Sequence, residues 1–420
     1  MRRSLRFQHR RGVVFLALLS ALSLNCGSEE TYAPPVDTCD EQYPGTFSID
    51  SPEVGHVYVW AGTGQPGAGA MGNLPGATRL YWPVEVNFDP AGSPIVLDWN
   101  NHRVLALDGE GEFEKIIGRY FGNPNDGPAL EADLNHPTHV VFSPDGSKLI
   151  LSAWHNSILM EMDLVTNWIA KYCGTGGRCF NGDGQARLAS CLDLPVCALY
   201  HPISGELYFS DQANHIVRRI DASGVVHVVA GSMPIFNGTS WVYQFGFGGD
   251  GGPATSALLN FERTQTANPS GKFCFAADGT IYIADTKNNA VRVVHTDGTI
   301  DTYAGKPAVG AGYSGDGGPA TEAQLSDPRD VAIDTDGTLF IADTGNHVIR
   351  QVAPDGTIST AVGIARPRTA DAISACALHD ENGGLASEVH LTAPHGIELD
   401  ADGNLWISDT LNQVIRIYYR

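Results

Sequence analysis

One pattern recurs six times along this chain of 420 residues. Short apolar strands such as Leu207-Tyr208-Phe209-Ser210-Asp211, Ile281-Tyr282-Ile283-Ala284-Asp285 and Leu339-Phe340-Ile341-Ala342-Asp343 end in a small residue and, in five copies of six, Asp. Asn follows three residues later in every copy: Asn101, Asn156, Asn214, Asn288, Asn346 and Asn412. A β-branched strand comes next, then commonly a turn such as Asp297-Gly298 or Asp355-Gly356. A last strand ends in glycine, as at Gly118, Gly174, Gly231, Gly305 and Gly363. A proline opens each copy: Pro83, Pro137, Pro195, Pro269, Pro328 and Pro394. Four short strands joined by hairpins make one propeller blade, and Asp-Gly turns supply the positive φ those hairpins need. One such sheet leaves both faces bare, whereas six around an axis bury each other.

The chain ends supply the closure. The sixth copy stops after its third strand, at Ile417-Tyr418-Tyr419-Arg420, and the missing strand stands near the other end. Gly55-His56-Val57-Tyr58-Val59-Trp60-Ala61-Gly62 resembles Gly298-Thr299-Ile300-Asp301-Thr302-Tyr303-Ala304-Gly305. The expected fold is therefore all-β: a six-bladed β-propeller of four-stranded antiparallel blades over residues 55–420, its N-terminal strand completing the last blade. Closing the ring this way suppresses an exposed edge. With 48 glycines and only 17% charged residues, the composition suits many tight turns and fits neither a coiled coil nor a disordered chain.

The run Asp343-Thr344-Gly345-Asn346-His347-Val348-Ile349-Arg350 resembles the NHL repeat. The second copy departs, with Ala153 for Asp, but keeps Asn156. Loops such as Gly315-Asp316-Gly317-Gly318-Pro319-Ala320 and Gly249-Asp250-Gly251-Gly252-Pro253-Ala254 also recur and are similar to those of the NHL propeller of teneurins and of bacterial surface proteins. The resemblance implies the fold, while propellers host many unrelated activities.

Residues 1–25 read as an export signal. Five arginines and no acid precede the apolar run Val13–Leu24, which is too short to span a bilayer comfortably. Cys26 then resembles the acylated cysteine of a bacterial lipoprotein, with plain secretion as the alternative. Residues 26–54, carrying Pro34, Pro35, Pro44 and Pro52, read as a polar tether. Lipid-anchored residence at a bacterial envelope would permit disulfides. Cys179 with Cys191 is the preferred pair, and Cys39 with Cys376 the second. The formal charge of −21 disfavours nucleic acid as a partner.

Residues just after the prolines begin the innermost strands and are expected at one mouth of the central channel: Glu85, His139, Lys272, Asp330 and His395. Ala393-Pro394-His395-Gly396 is similar to the Pro-His-Gly of the zinc-dependent amidating lyase, which makes His395 a candidate metal ligand. The matching places hold Val84, Thr138, Val196, Ser270 and Arg329, so a three-histidine zinc set is not reproduced. The Gly-Asp-Gly loops offer oxygen ligands to calcium or serve as plain connections. The recurrent Asp and Asn read as turn staples. Trp241, Tyr243, Phe245 and Phe247, in the longest insertion, are either a contact surface or packing over a blade edge. The leading expectation is a module that binds or senses a protein, peptide or glycan outside the cytoplasm. The alternative is a metal-assisted lyase or lactonase-like hydrolase at the channel mouth.

Overall fold

A computed structural model describes residue 49 and residues 51–264, 266–367, 377–378 and 381–420. Six antiparallel sheets form a six-bladed propeller. Blade 3 is representative: Pro195–Tyr200, Leu207–Asp211, Ile216–Ile220 and Val225–Ala230 follow one another in sequence and in the sheet. The innermost strands of the other blades are Pro83–Phe88, Pro137–Phe142, Phe273–Phe275, Pro328–Ile333 and Pro394–Leu399. Blade 6 takes its outer strand from the N-terminal side of the chain. His56–Ala61 pairs with Val414–Tyr418, setting Val57 opposite Tyr418 and Tyr58 opposite Ile417.

Four blades carry more than the expected four strands. Gly127–Pro128, Gln185–Ala186, Gly252–Pro253 and Gly384–Leu385 each add a two-residue strand to the outside of a blade. These segments belong to the recurrent glycine-rich loops, and the loop carboxylate or amide explains the pairing. Asp126 accepts from Lys171 N at 2.9 Å, Asp183 from Val228 N at 2.7 Å, and Asn382 from Val59 N at 2.7 Å. The lead-in loop of a blade thus returns to cover that blade's open edge, the side of a sheet most prone to stray pairing.

The Asp and Asn of the repeat meet a third residue that the pattern did not single out. In blades 3 to 6 an arginine stands seven residues after the Asp: Arg218, Arg292, Arg350 and Arg416, all 0% exposed. Arg218 reaches Asp211 at 3.1 Å and Arg416 reaches Asp409 at 2.8 Å. In blade 1 Arg103 does the same work for Asp98 at 2.7 Å. Each Asp takes an Asn side-chain amide on one oxygen, as Asn346 gives Asp343 at 2.7 Å. Its other oxygen takes a backbone N–H of the lead-in loop, from Tyr81, Asp193, Asn260, Ser326 or Thr392. Burial pushes the Asp211 and Asp343 carboxyls upward, and these donors oppose it. The arginines spend their remaining N–H groups on the same loops. Arg218 bonds Cys191 O and Gly182 O, while Arg292 and Arg350 meet Asp250 and Asp316. Blade 2 lacks the cluster as a unit: Ala153 replaces the Asp and Met160 the Arg. Asn156 takes over, accepting from Asn135 N at 2.9 Å.

The residue after each Asn turns the chain sharply. His102, Ser157, His215, Asn289, His347 and Gln413 all have φ between 53° and 61°. Five of their side chains then reach the next blade, accepting the N–H of a residue in its lead-in. His102 Nδ1 takes His136 N at 3.2 Å, His215 Nδ1 takes Phe261 N at 3.0 Å, and His347 Nδ1 takes Ala393 N at 2.9 Å. Asn289 takes Asp327 N, and Gln413 takes Trp82 N, which ties blade 6 to blade 1. Ser157 is too short, and its hydroxyl has no partner. The glycine closing the fourth strand follows from this crowding. A Cβ on Gly231, at φ 89°, would come within 2.4 Å of His215 O.

Two outcomes follow for stability. Asp211→Ala leaves the buried Arg218 guanidinium with backbone carbonyls and no carboxylate, and should cost about 3–5 kcal/mol in urea unfolding. Adding Arg218→Met, the pairing blade 2 uses, should recover most of that loss. Acid should also weaken the histidine contacts between blades. Burial holds His102 down to about 4 and His215 to about 3, so both fold as neutral acceptors. Their contribution is whole above the unfolded histidine pKa of about 6.5 and is lost as pH falls below it, about 2 kcal/mol each by about pH 5. The raised Asp211 and Asp343 carboxyls act in the opposite sense, so the histidine part is read by difference. From about pH 7 to about pH 5 the parent should lose melting temperature relative to His215→Gln, and a constant difference would contradict this account.

Candidate functional site

The channel wall is set by a one-residue bulge directly after the blade prolines. In the innermost strands of blades 1, 2, 5 and 6 the register slips between Pro83 and Glu85, Pro137 and His139, Pro328 and Asp330, and Pro394 and Gly396. Such a bulge re-aims the side chains that follow it. Aligned by strand pairing, the six equivalent positions are Glu85, His139, Cys197, Lys272, Asp330 and Gly396. Blade 4 reaches this ring with Lys272 because one extra residue separates it from its proline.

Lys272 bridges the ring. Its buried ammonium bonds the Glu85 carboxylate, reaches Asp330 Oδ2 at 3.1 Å and Val84 O at 3.4 Å. Asp330 also accepts from Val331 N at 2.8 Å and Ile397 N at 3.0 Å, so its carboxylate is fully engaged. Burial lowers the Lys272 ammonium and raises Asp330, and their mutual attraction opposes both shifts. Gly396 leaves room for this pair, since a Cβ there would come within 2.3 Å of Val84 O and 3.1 Å of Glu85 Oε1.

Beyond the ring a cavity of about 310 Å³ opens on the face carrying the first hairpin of each blade. Glu85, His139, Cys197 and Asp330 line it from the ring. Leu199, Cys274, Ala332 and Glu398 line it two residues further along their strands, and Tyr200, Phe275 and Ala277 stand toward the rim. Glu398 accepts a single bond, from Leu399 N at 3.4 Å. Burial and the neighbouring Asp330 push its carboxyl up to about 7. His139 is held down to about 3 by burial. Cys197 and Cys274 are free thiols, raised by the same cause. The opposite end of the channel is packed: Trp154 Nε1 donates to Gln212 Oε1 at 3.0 Å, and Gln212 bonds Glu262 O and Asn268 O.

The expected mouth residues therefore divide. Glu85, His139, Lys272 and Asp330 share one ring. His395 lies one residue before it, buried, with Nδ1 lacking a partner. Among the described residues no three His, Cys, Asp or Glu side chains converge on one point. The loop aspartates considered for calcium are engaged instead by backbone N–H groups and arginines, as described above. Glu398 and the lining thiols were not anticipated as site residues. The clue was present, because Glu398 stands two places after the residue aligned with Glu85.

The aromatic insertion lies on the opposite face. Trp241 packs edge-on to Phe180 at 4.9 Å, Arg263 sits over Tyr243 at 3.5 Å, Phe245 meets His215 at 4.9 Å, and Arg292 lies over Phe247 at 5.0 Å. These contacts anchor the loop to the blades, yet Phe245 and Phe247 keep 52% and 43% of their surface exposed. Cys179 and Cys191 form a disulfide, Cα to Cα 5.1 Å, within the lead-in of blade 3. Cys26, Cys39 and Cys376 lie outside the described residues.

Comparison with known proteins agrees with this architecture. Residues 307–378 match the model of the teneurin NHL domain. Mouse teneurin-1 is 25% identical over 369 residues, covering 80% of this chain and 12% of the relative. The Arabidopsis thaliana protein SUPPRESSOR OF QUENCHING 1, chloroplastic, is 27% identical over 266 residues, 61% of this chain and 23% of that one. The chain thus spans a small part of the length of these relatives. Among solved structures, an auxiliary nutrient binding protein from Bacteroides thetaiotaomicron superposes with a TM-score of 0.58 at 15% identity, covering 86% of this chain and 75% of that one. A second protein of that description, from Bacteroides ovatus, gives 0.56 at 12% identity, covering 86% and 76%. At these identities the structural likeness concerns the fold.

Lys272→Met tests the ring. It leaves Glu85 and Asp330 facing each other buried and uncompensated, which should cost about 3–5 kcal/mol at neutral pH. Both carboxyl pKa values would then lie above their unfolded values. The variant's stability should be highest in acid and fall as pH rises through neutrality, in the sense opposite to the histidine effect.

Proposed function

We propose that this protein is a ligand-binding module of a bacterial cell envelope that captures a small solute, or the end of a peptide or glycan, in the channel cavity. The cavity carries the reading: a concave site of the size that holds small ligands, closed at one end and lined by a few polar groups among apolar walls. The structural neighbours described as nutrient binding proteins support a binding role on this fold. The arginine-rich, apolar N-terminus and Cys26 support export and acylation, with residues 26–54 as the tether that holds residues 55–420 clear of the membrane. The exposed insertion around Phe245 and Phe247 would then present a second surface, on the other face, to a protein partner.

Two experiments test this. In fractionated cells the full-length protein should sediment with membranes, and Cys26→Ser should release it to the soluble fraction. If both distribute alike, the lipid anchor is wrong. For the cavity, a solute screen by thermal shift should find ligands whose effect disappears in Ala277→Trp, which fills the rim at an exposed position. Hits unaffected by that change, or abolished instead by Phe245→Ser with Phe247→Ser, would move the binding site to the loop face.

A further inference from the structure

The cavity carries three carboxyls, Glu85, Asp330 and Glu398, against one ammonium, that of Lys272. Lys272 is already spent on Glu85 and Asp330. Glu398 faces the same space with one weak backbone bond and no cation in contact: the Lys272 ammonium acts on it at a distance and is outweighed by the charge of Asp330. A second lining group is also incomplete. His139 is 4% exposed and its Nδ1 has no partner. Its Nε2 lies 3.5 Å from Asn87 Nδ2, and Asn87 Oδ1 accepts from Val140 N at 3.4 Å. That network makes Asn87 Nδ2 the donor and Nε2 the acceptor, so the histidine proton sits on Nδ1, sealed behind the cavity wall, and a ligand oxygen would satisfy it once the ring turns toward the cavity. A buried donor left unpaired is costly, which makes a hydrogen-bonding ligand at this wall favourable.

Resting on the cavity reading above, we propose that the site selects a small polyhydroxylated amine: its ammonium pairs with Glu398 and a neighbouring hydroxyl accepts from His139 Nδ1. The ring already shows how this channel treats a primary ammonium, since Lys272 is held there by two carboxylates and a backbone carbonyl. Solutes bearing a carboxylate would face uncompensated negative charge, and neutral polyols would leave Glu398 without its partner. A cavity of about 310 Å³ limits the ligand to about the size of one sugar unit.

The test uses three solutes on one carbon chain: glucamine, glucitol and gluconate, which end in an ammonium, a hydroxyl and a carboxylate. Calorimetric titration of the purified full chain should show glucamine binding about tenfold more tightly than glucitol, the value of one charge-assisted hydrogen bond. Gluconate should bind more weakly still. Glu398→Gln should remove the preference for glucamine while leaving the melting temperature near that of the parent. Affinity for glucamine should rise from about pH 6 to about pH 8 as Glu398 ionises, and Glu398→Gln should flatten that slope. Among the other groups around Glu398, His139 stays neutral and the Cys197 and Cys274 thiols and Tyr200 stay protonated. Burial raises Asp330 and lowers Lys272, so any slope that survives in Glu398→Gln belongs to their ion cluster and overturns the assignment to Glu398. Equal binding of glucamine and glucitol, or a preference for gluconate, overturns the ammonium assignment and leaves the cavity reading standing. Calcium or zinc binding that depends on Glu398, with no response to glucamine, also overturns it. Binding of any of these solutes that survives Ala277→Trp refutes the cavity reading itself.

Discussion

The buried Asp–Asn–Arg cluster is the contact on which the rest of the propeller hangs. A blade's strands need no such device to pair. Its lead-in loop does, because that loop must cross from the outside of one blade to the axis of the next without a regular ladder to satisfy its backbone. The aspartate takes a loop N–H on one side and the asparagine on the other, while the arginine collects loop carbonyls. Buried ion pairs are a costly way to gain stability compared with apolar packing. Here the geometry needs a part that bonds backbone groups from two directions at once, which a leucine cannot supply. Blade 2 supports this view, having lost carboxylate and guanidinium together while retaining the asparagine.

That cluster also fixes where the channel side chains point. In blades 1, 3, 5 and 6 it holds the chain two residues before the proline, and in blade 4 at Asn260, nine residues before it; in blades 1, 2, 5 and 6 the bulge follows the proline directly. Five blades then deliver one side chain each to the ring, and blade 6 delivers glycine so that Glu85 and Lys272 can meet. The chemistry of the cavity is thus an asymmetric decoration of a symmetric frame. Six equivalent backbone positions carry six different residue types, and the charge they enclose is not balanced.

The frame was legible in the sequence because repetition multiplies a weak signal. Each copy of Asp-x-x-Asn by itself suggests no more than a turn, whereas six copies with matching prolines and glycines dictate blades and closure. Glu85, His139, Lys272 and Asp330 could be placed near the channel from their distance to the prolines. What stayed hidden has two causes. The extra outer strands are two residues long and contain glycine and proline, so they carry no strand pattern of their own. Glu398 looks like a surface residue between Ile397 and Leu399, and only the bulge turns it toward the axis. His395, which the Pro-His-Gly resemblance brought forward, falls one residue short of the ring for the same reason.

The union of His56–Ala61 with Val414–Tyr418 has a further meaning for how the molecule comes into being. Blade 6 is the one blade whose four main strands do not lie together along the chain, and its hydrogen-bonded neighbours are separated by more than 350 positions. Blades 1 to 5 need only local partners and can take shape in the order in which they are made. The ring itself stays an open arc, with apolar faces bare at both ends, until the final strand arrives. Its completion is therefore a late, long-range event of the slow kind, and any factor that shields an unfinished arc would act during that interval. Transplanting the His56–Ala61 strand to follow Tyr418 would turn this one distant pairing into a local one and remove the waiting period.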